Sequence, residues 1–245
     1  MNVFSMKRAL AIIPARKNSK GIKFKNKKEL LGKPLISYTI EAAIESDIVD
    51  IIVATDDEDI IEIARSYGIN ADYMRPESVS TDEASMDSLI MDVLKYARKK
   101  EINYKYAITL QPTSPFRTSN DIKNAIVLAE DSHKGNVIGV SKMLHHPYEC
   151  IEEIESLTEN SWRFLAKPIE KKNRRQDYEE RYWFINGAIY CYSIDDFLEN
   201  EGFSWNNSII YKMGIENSID IDTDFDFQIA ENIMRKKFIN EKFKN

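Results

Sequence analysis

The sequence predicts an α/β protein built on a mostly parallel sheet, with helices over both faces. Two patterns carry that reading. Runs 10–15, 50–55, 106–110 and 136–140 are short, apolar and rich in β-branched residues, as strands buried on both faces are. Between them, 35–46, 58–67, 85–99 and 119–131 place apolar residues at helical spacing. Strand and helix in alternation indicate βαβ units, whose ligands sit beyond the carboxyl ends of the strands. The loops at 16–26, 75–85 and 111–117, together with Asp56, all follow such runs and are expected to meet at one rim.

The remaining elements are read in the same way. Ile36, Ile40, Ala43 and Ile44 form the apolar side of the first helix, and Gly68 stops the second. A short strand is expected at 71–74. Leu89, Val93, Leu94 and Ala97 face inward from the third helix, and Ser119 is the expected N-cap of the fourth. Alternation lapses over 141–185, a charged and aromatic stretch read as an arm inserted into a single domain spanning 1–245. It resumes at 186–192. A strand at 218–221 and a helix over 224–237 close the chain.

Bulk properties exclude several classes of function. At 245 residues with 43% hydrophobic content, the chain fits one large packed domain. No apolar run approaches the roughly 20 residues of a membrane span. The first apolar stretch is too short for a signal peptide. A net charge of −6 argues against nucleic acid as the main partner. The two cysteines, Cys150 and Cys191, have no metal-ligand spacing, consistent with a reduced cytoplasmic protein. The three histidines, His133, His145 and His146, do not suit a histidine-based zinc site.

Against that acidic background, PARKNSKGIKFKNKK concentrates Arg16, Lys17, Lys20, Lys23, Lys25, Lys27 and Lys28. Such a density of cations after the first strand calls for an anion, although a solvated basic loop is the blander reading. The loop is neither a Walker sequence nor GxGxxG, and Gly21 is its only glycine. Side chains must then do more of the binding, with Arg16 and Lys20 as cations and Ser19 as a hydroxyl donor.

IIPARKNSKGIKFKN resembles the signature loop of the CMP-sialic acid synthetase (N-acylneuraminate cytidylyltransferase) family. TDDEDI, RPESVSTDEAS, LQPTSPFRT, HHP, RRQD, NGAIY and SIDIDTDFD follow in the same order over nearly the whole chain. The resemblance implies a nucleotide-diphospho-sugar-transferase-like, Rossmann-like fold and a homodimer. It also implies Mg²⁺-dependent transfer of CMP from CTP to a nine-carbon sugar acid, with release of pyrophosphate. That acid would be N-acetylneuraminic acid or a legionaminic acid-like relative. A related transferase acting on Kdo or pseudaminic acid, and a non-catalytic nucleotide-sugar-binding protein, are the competing functions.

Site residues follow from the same resemblance. Arg16, Ser19 and Lys20 match positions that hold the triphosphate. Ala15, Asn26, Arg75 and Ser85 match the rest of the nucleotide site. Asn26 could equally cap a turn, Arg75 leave a strand, and Ser85 cap a helix. Gln111, Lys25, Tyr190, Phe203 and an arm arginine match the sugar-acid site. The arm arginine is Arg175, with Arg174 as the competing register, and Tyr190 could be plain core. Asp220 and Asp222, at strand spacing, would project to one side as two hard ligands for Mg²⁺. The alternative is that Asp222 caps the following helix. Arg16, Lys20 and Asp222 are the expected catalytic set. No general base is assigned. Glu149, after HHPY, is the expected selector among sugar acids. The arm's aromatic residues, Trp162, Phe164, Tyr178, Tyr182, Trp183 and Phe184, are expected to be covered by dimerisation.

Overall fold

The computed structural model describes residues 7–19, 21–154, 161–166 and 182–242, with side chains to 237. Lys20, Arg174, Arg175 and Tyr178 lie outside the described residues. The chain opens with β1 (Ala9–Pro14), β2 (Glu29–Leu30), β3 (Lys33–Pro34), α1 (Leu35–Ser46), β4 (Val49–Ala54) and α2 (Glu58–Ser66). It continues through α3 (Met86–Lys99), β5 (Tyr106–Thr109), α4 (Ser119–Asp131) and β6 (Asn136–Lys142). β7 (Ile151–Ile154), β8 (Ser161–Phe164), β9 (Trp183–Ser193), α5 (Ile194–Glu199), β10 (Ser208–Lys212) and α6 (Asp224–Lys242) complete it.

The main sheet has the order β10-β6-β9-β5-β1-β4. β1 runs parallel to β4 and β5, and β10 parallel to β6, while β9 is antiparallel to both its neighbours. All of β1 is buried because its side chains alternate between two apolar layers. Ala9, Ala11 and Ile13 pack with Ile36, Ile40, Ile122 and Ile126 of α1 and α4. Leu10 and Ile12 pack with Leu89, Val93 and Leu94 of α3 and with Phe197 of α5. Each fully buried Leu or Ile contributes roughly 1.5–3 kcal/mol to folding.

Several expectations are corrected. Residues 71–74 form no strand: a single bridge joins Thr55 to Met74, and the chain turns at Arg75-Pro76, where the proline has no N–H to extend a ladder. Thr118, not Ser119, caps α4, because Thr118 is extended and forms a reciprocal capping box with Asp121. Residues 218–221 form no strand either. Their hydrogen bonds go to loops and side chains instead: Ile221 N donates to Thr113 O at 2.9 Å, and Lys25 Nζ donates to Ile221 O at 2.7 Å. The arm expected at about 141–185 corresponds to the stretch between β6, which runs to Lys142, and β9, which starts at Trp183. Within it, β7 and β8 pair as an antiparallel hairpin. Tyr182 and Trp183 are half-buried, so among the described residues the arm's exposed aromatics are Trp162, Phe164 and, at its base, Phe184. α5 and β10 were not anticipated; Ser193, which accepts from Asp196 N, is the cap that begins α5.

Candidate active site

The parallel strands β1, β4 and β5 end at one rim, where the loops after β1 and β5, the segment 75–86 and Asp222 enclose a cleft of about 360 Å³. Because β9 runs the other way, its early residues rise past the end of β5. This sets Asn186-Gly187 beside Gln111 and the acidic segment. A Cβ on Gly187, whose φ is +72°, would lie 3.4 Å from Asp220 Oδ2 and 3.8 Å from Gln111 Oε1. Glycine is therefore required there both by its left-handed backbone and by the approach of those two groups.

Arg16, Ser19, Asn26, Arg75, Ser85, Gln111, Lys25 and Asp222 all line this cleft. Ala15 does not; it is buried at the end of β1, with its N–H bonded to Ala54 O at 2.9 Å. Tyr190 and Phe203 line a smaller cavity of about 120 Å³ that shares Gln111 and Met86 with the cleft.

The basic loop is less free to meet an anion than its sequence suggests. Lys27 pairs with Asp57 and Asp59, and Lys28 pairs with Asp224 at 2.8 Å. Those bonds raise the Lys27 ammonium above its ordinary pKa, with the Asp59 contact the largest cause. Both lysines thus anchor the loop to the starts of α2 and α6. Lys25 is buried and pairs with Asp222 Oδ1 at 2.9 Å. Arg16 Nη1 meets Asp82 Oδ1 at 2.5 Å across the cleft.

The nucleotide-side residues also shape the loops that carry them. Asn26 Nδ2 donates to Arg16 O at 3.2 Å, closing the basic loop on itself. The buried Arg75 guanidinium donates to Val79 O and holds the turn at 76–79 between α2 and α3, and burial lowers its pKa. Ser85 caps α3, accepting from Ser88 N at 3.1 Å, while lining the cleft.

The acidic segment is held open. Thr223 and Asp226 form the capping contacts of α6: Asp226 Oδ2 accepts from Thr223 N at 2.8 Å and Thr223 Oγ1 from Asp226 N at 3.3 Å. Asp222 is therefore not needed as a cap. Asp220 Oδ1 is buried with no hydrogen-bond partner, and burial, reinforced by Asp222, holds the Asp220 carboxyl above its usual pKa. Among the described residues, no group of three or more His, Cys, Asp or Glu is placed to hold a metal. Two carboxylates, one with a buried oxygen that has no hydrogen-bond partner, fit a hard cation that takes its other ligands from phosphate and water.

Gly21 joins the two halves. A Cβ there would fall 2.2 Å from Asp222 O. Gly21→Ala is expected to force the basic loop off the acidic segment, costing about 1–3 kcal/mol of stability. A thermal melt checks this. An unchanged melting temperature would mean that the loops close independently.

Sequence reasoning missed Asp82, Thr113, Asp87, Trp205 and the buried Arg117. Asp82 lies inside a motif already singled out, and Asp87 one short step beyond Ser85. Trp205 follows Phe203 by two residues.

Residues 10–182 match the model of a family described as cytidylyltransferase. The chain belongs to the cytidylyltransferase family. Among similar cytidylyltransferases and synthases, N-acylneuraminate cytidylyltransferase of Escherichia coli is 37% identical over 93% of this chain, which spans only 52% of that protein. The chain thus spans about half the length of the N-acylneuraminate relatives from E. coli and Streptococcus agalactiae. CMP-N,N'-diacetyllegionaminic acid synthase of Legionella pneumophila is 34% identical, covering 93% of this chain and 96% of its own length. CMP:2-keto-3-deoxy-manno-octonic acid synthetase, solved with CTP, has a TM-score of 0.67 at 18% identity, covering 94% of this chain and all of its own. 4-Diphosphocytidyl-2C-methyl-D-erythritol synthase from Anaerococcus prevotii follows with a TM-score of 0.62 at 17% identity, covering 94% and 99%. These two likenesses show a shared, Rossmann-like fold. No helix among the described residues is long and apolar enough to cross a membrane.

Proposed function

We propose that the chain transfers CMP from CTP to the anomeric hydroxyl of a nine-carbon, sialic acid-type sugar acid and releases pyrophosphate. The observation that carries this reading is the cleft itself. Arg16 and Ser19 stand on one wall and Asp222 on another, and Gln111 opens into an aromatic cavity beside them. Relatives of nearly full matching length act on diacetyllegionaminic and pseudaminic acids, and half-length matches on N-acylneuraminate, which favours this acid class. Pyrophosphate release measured with CTP, Mg²⁺ and a panel of eight- and nine-carbon sugar acids tests it. Turnover with the eight-carbon acid alone, or with none, overturns it.

Asp220 and Asp222 would hold Mg²⁺. Bound there, the ion supplies charge neutralisation for the triphosphate and the departing pyrophosphate. The chain's own groups position the reactants. Arg16 and Ser19 take the phosphates, and Asn26 and the segment 75–85 take the nucleoside. Gln111 and Lys25 meet the sugar acid. Mutual orientation and water exclusion then do most of the work of the displacement. Lys20 and Arg175 belong to the same reading through the family resemblance.

Asp82 competes with the triphosphate for Arg16. Asp82→Asn is therefore expected to lower the CTP KM a few-fold at low salt, an effect that fades as salt screens the pair. Arg16→Ala should raise that KM and lower kcat. A change only in the KM of the sugar acid would move Arg16 out of the nucleotide site.

The chain is read as a homodimer through its arm. Trp162 and Phe164 are 54% and 44% exposed, and Ile151, opposite Phe164 on the hairpin, is 56% exposed. Covering that face would remove a sizeable apolar patch from water. Sedimentation is expected to give a dimer that Trp162→Glu splits; a stable, active wild-type monomer sinks the reading. A reduced cytoplasmic setting fits the free thiols of Cys150 and Cys191.

A further inference from the structure

We propose that Asp87 selects the sugar acid, accepting an N–H from an acylamino substituent that enters the small cavity beside the cleft. The inference rests on the sugar-acid reading above and names the feature of the acid that is read.

The cavity, about 120 Å³, opens next to Gln111 and Met86, which it shares with the cleft. Its far wall is aromatic. Phe203 stands edge-on to Tyr190 and Trp205, with ring centres 5.8 and 5.0 Å apart, and Tyr192 closes the inner side. Two of its polar groups are already satisfied by each other, since Thr109 Oγ1 and the Tyr192 hydroxyl lie 3.0 Å apart. Asp87 is different. Its half-buried carboxylate lines the cavity and makes no hydrogen bond or ion pair with any described residue.

The fold accommodates this carboxylate from two sides. Asp87 occupies the first turn of α3, where the helix dipole favours negative charge. A Cβ on Gly202 would sit 2.8 Å from Asp87 Oδ2, so a residue with a side chain there would displace the carboxylate. A helix-start aspartate explains the charge. It does not explain why the carboxylate faces an aromatic cavity next to the substrate amide Gln111.

An ionised carboxylate only accepts hydrogen bonds, so it favours donors and repels the acid's own carboxylate. That repulsion turns the substrate carboxylate toward Gln111 and Lys25. Aromatic rings around a single acceptor suit a group with one N–H and one small apolar end, which describes an acetamido group. Glu149, the selector expected from sequence, is exposed in the arm and lines neither cavity.

The test compares kcat/KM for three acids in wild type and Asp87→Asn: N-acetylneuraminic acid, the analogue with an acetate ester in place of acetamido, which keeps the methyl end and lacks the N–H, and the free amine. Wild type is expected to prefer the acetamido acid over the ester acid roughly 10- to 100-fold, the range of a charge-assisted hydrogen bond. In Asp87→Asn the ratio should fall several-fold, through the KM of the sugar acid, because a neutral acceptor binds the N–H less strongly. The CTP KM should hold. The melting temperature should fall only slightly, from the lost helix-start charge, and such a loss alone would not change the ratio between two acids. Asp87→Ser, which keeps a residue favoured at helix starts, should behave alike and serves if the asparagine variant folds poorly. An unchanged acetamido-to-ester ratio overturns the proposal. So does a wild-type preference for the free amine, which would make the cavity a cation site. Failure of wild type on every acid refutes the sugar-acid function itself, an outcome distinct from loss of selectivity.

Discussion

Asp220→Asn is expected to abolish turnover while making the metal-free protein more stable. Burial, reinforced by Asp222, raises the Asp220 carboxyl above its ordinary pKa, and its Oδ1 lacks a partner. A carboxyl whose folded pKa is raised costs stability above that pKa, and the cost is relieved as pH falls through it. Asparagine removes the charge at constant shape and so removes that cost. A gain on the order of 1 kcal/mol corresponds to a rise of roughly 2–4 °C for a chain of this size. Turnover should fall about 10³-fold or more, because the proposed Mg²⁺ site would lose a charge where the triphosphate is to be neutralised. Asp222→Asn should lose as much activity without the gain, since Asp222 is exposed and paired with Lys25 at 2.9 Å. Mg²⁺ with CTP should then raise the wild-type melting temperature more than that of either variant. Near-normal kcat for Asp220→Asn at limiting Mg²⁺, or a lower metal-free melting temperature, would remove Asp220 from the metal site.

The contrast between these aspartates shows what the sequence carried and what it could not. The βαβ frame was legible because buried strands and amphipathic helices leave opposite periodicities, and α1 falls at Leu35–Ser46 as its spacing predicts. The rim cleft was legible for the same reason: it follows from where parallel strands end. The segment around Asp220 was misread because SIDID has the alternation of a strand. Strand identity also requires a backbone partner, and here Thr113 O and Lys25 take the hydrogen bonds that a ladder would use. Charge counting likewise overstated the basic loop. Lys27 and Lys28 find their acids some 30 and 196 positions along the chain, at Asp57 and Asp224. No local window holds that information. Asp87 escaped because its placement in α3 accounts for it fully until the cavity beside it is seen.

Arg117→Met is expected to be the most destabilising single change near the site, and to impair sugar-acid use more than nucleotide use. Arg117 was read only as part of LQPTSPFRT, yet its side chain is buried at the junction of three elements. Nη1 donates to Ala188 O at 2.7 Å and to Gln111 O at 3.2 Å, and Nη2 donates to Thr39 Oγ1 at 2.8 Å. One planar fork thus ties the loop after β5 to the NGA bend of β9 and to α1. Burial pushes the guanidinium pKa down to about 9, partly opposed by Asp121, so the group stays charged at neutral pH. Methionine fills much of the volume but leaves the Ala188 carbonyl and the Thr39 hydroxyl without this donor. Each buried polar group left unpaired costs about 1–3 kcal/mol, and removing a desolvated charge returns only part of that. A net loss of about 3 kcal/mol would lower the melting temperature by roughly 6–12 °C. Lysine keeps the charge but cannot span three acceptors in one plane, so Arg117→Lys should recover less than half of the loss. With the brace gone, Gln111 and Gly187 lose their fixed spacing, and the KM for the sugar acid should rise about tenfold. The CTP KM should change little, because Arg16, Ser19 and Ser85 stand on other loops. An equal rise in both KM values would mean that Arg117 supports the whole rim. An unchanged melting temperature would show that its hydrogen bonds are readily replaced by water.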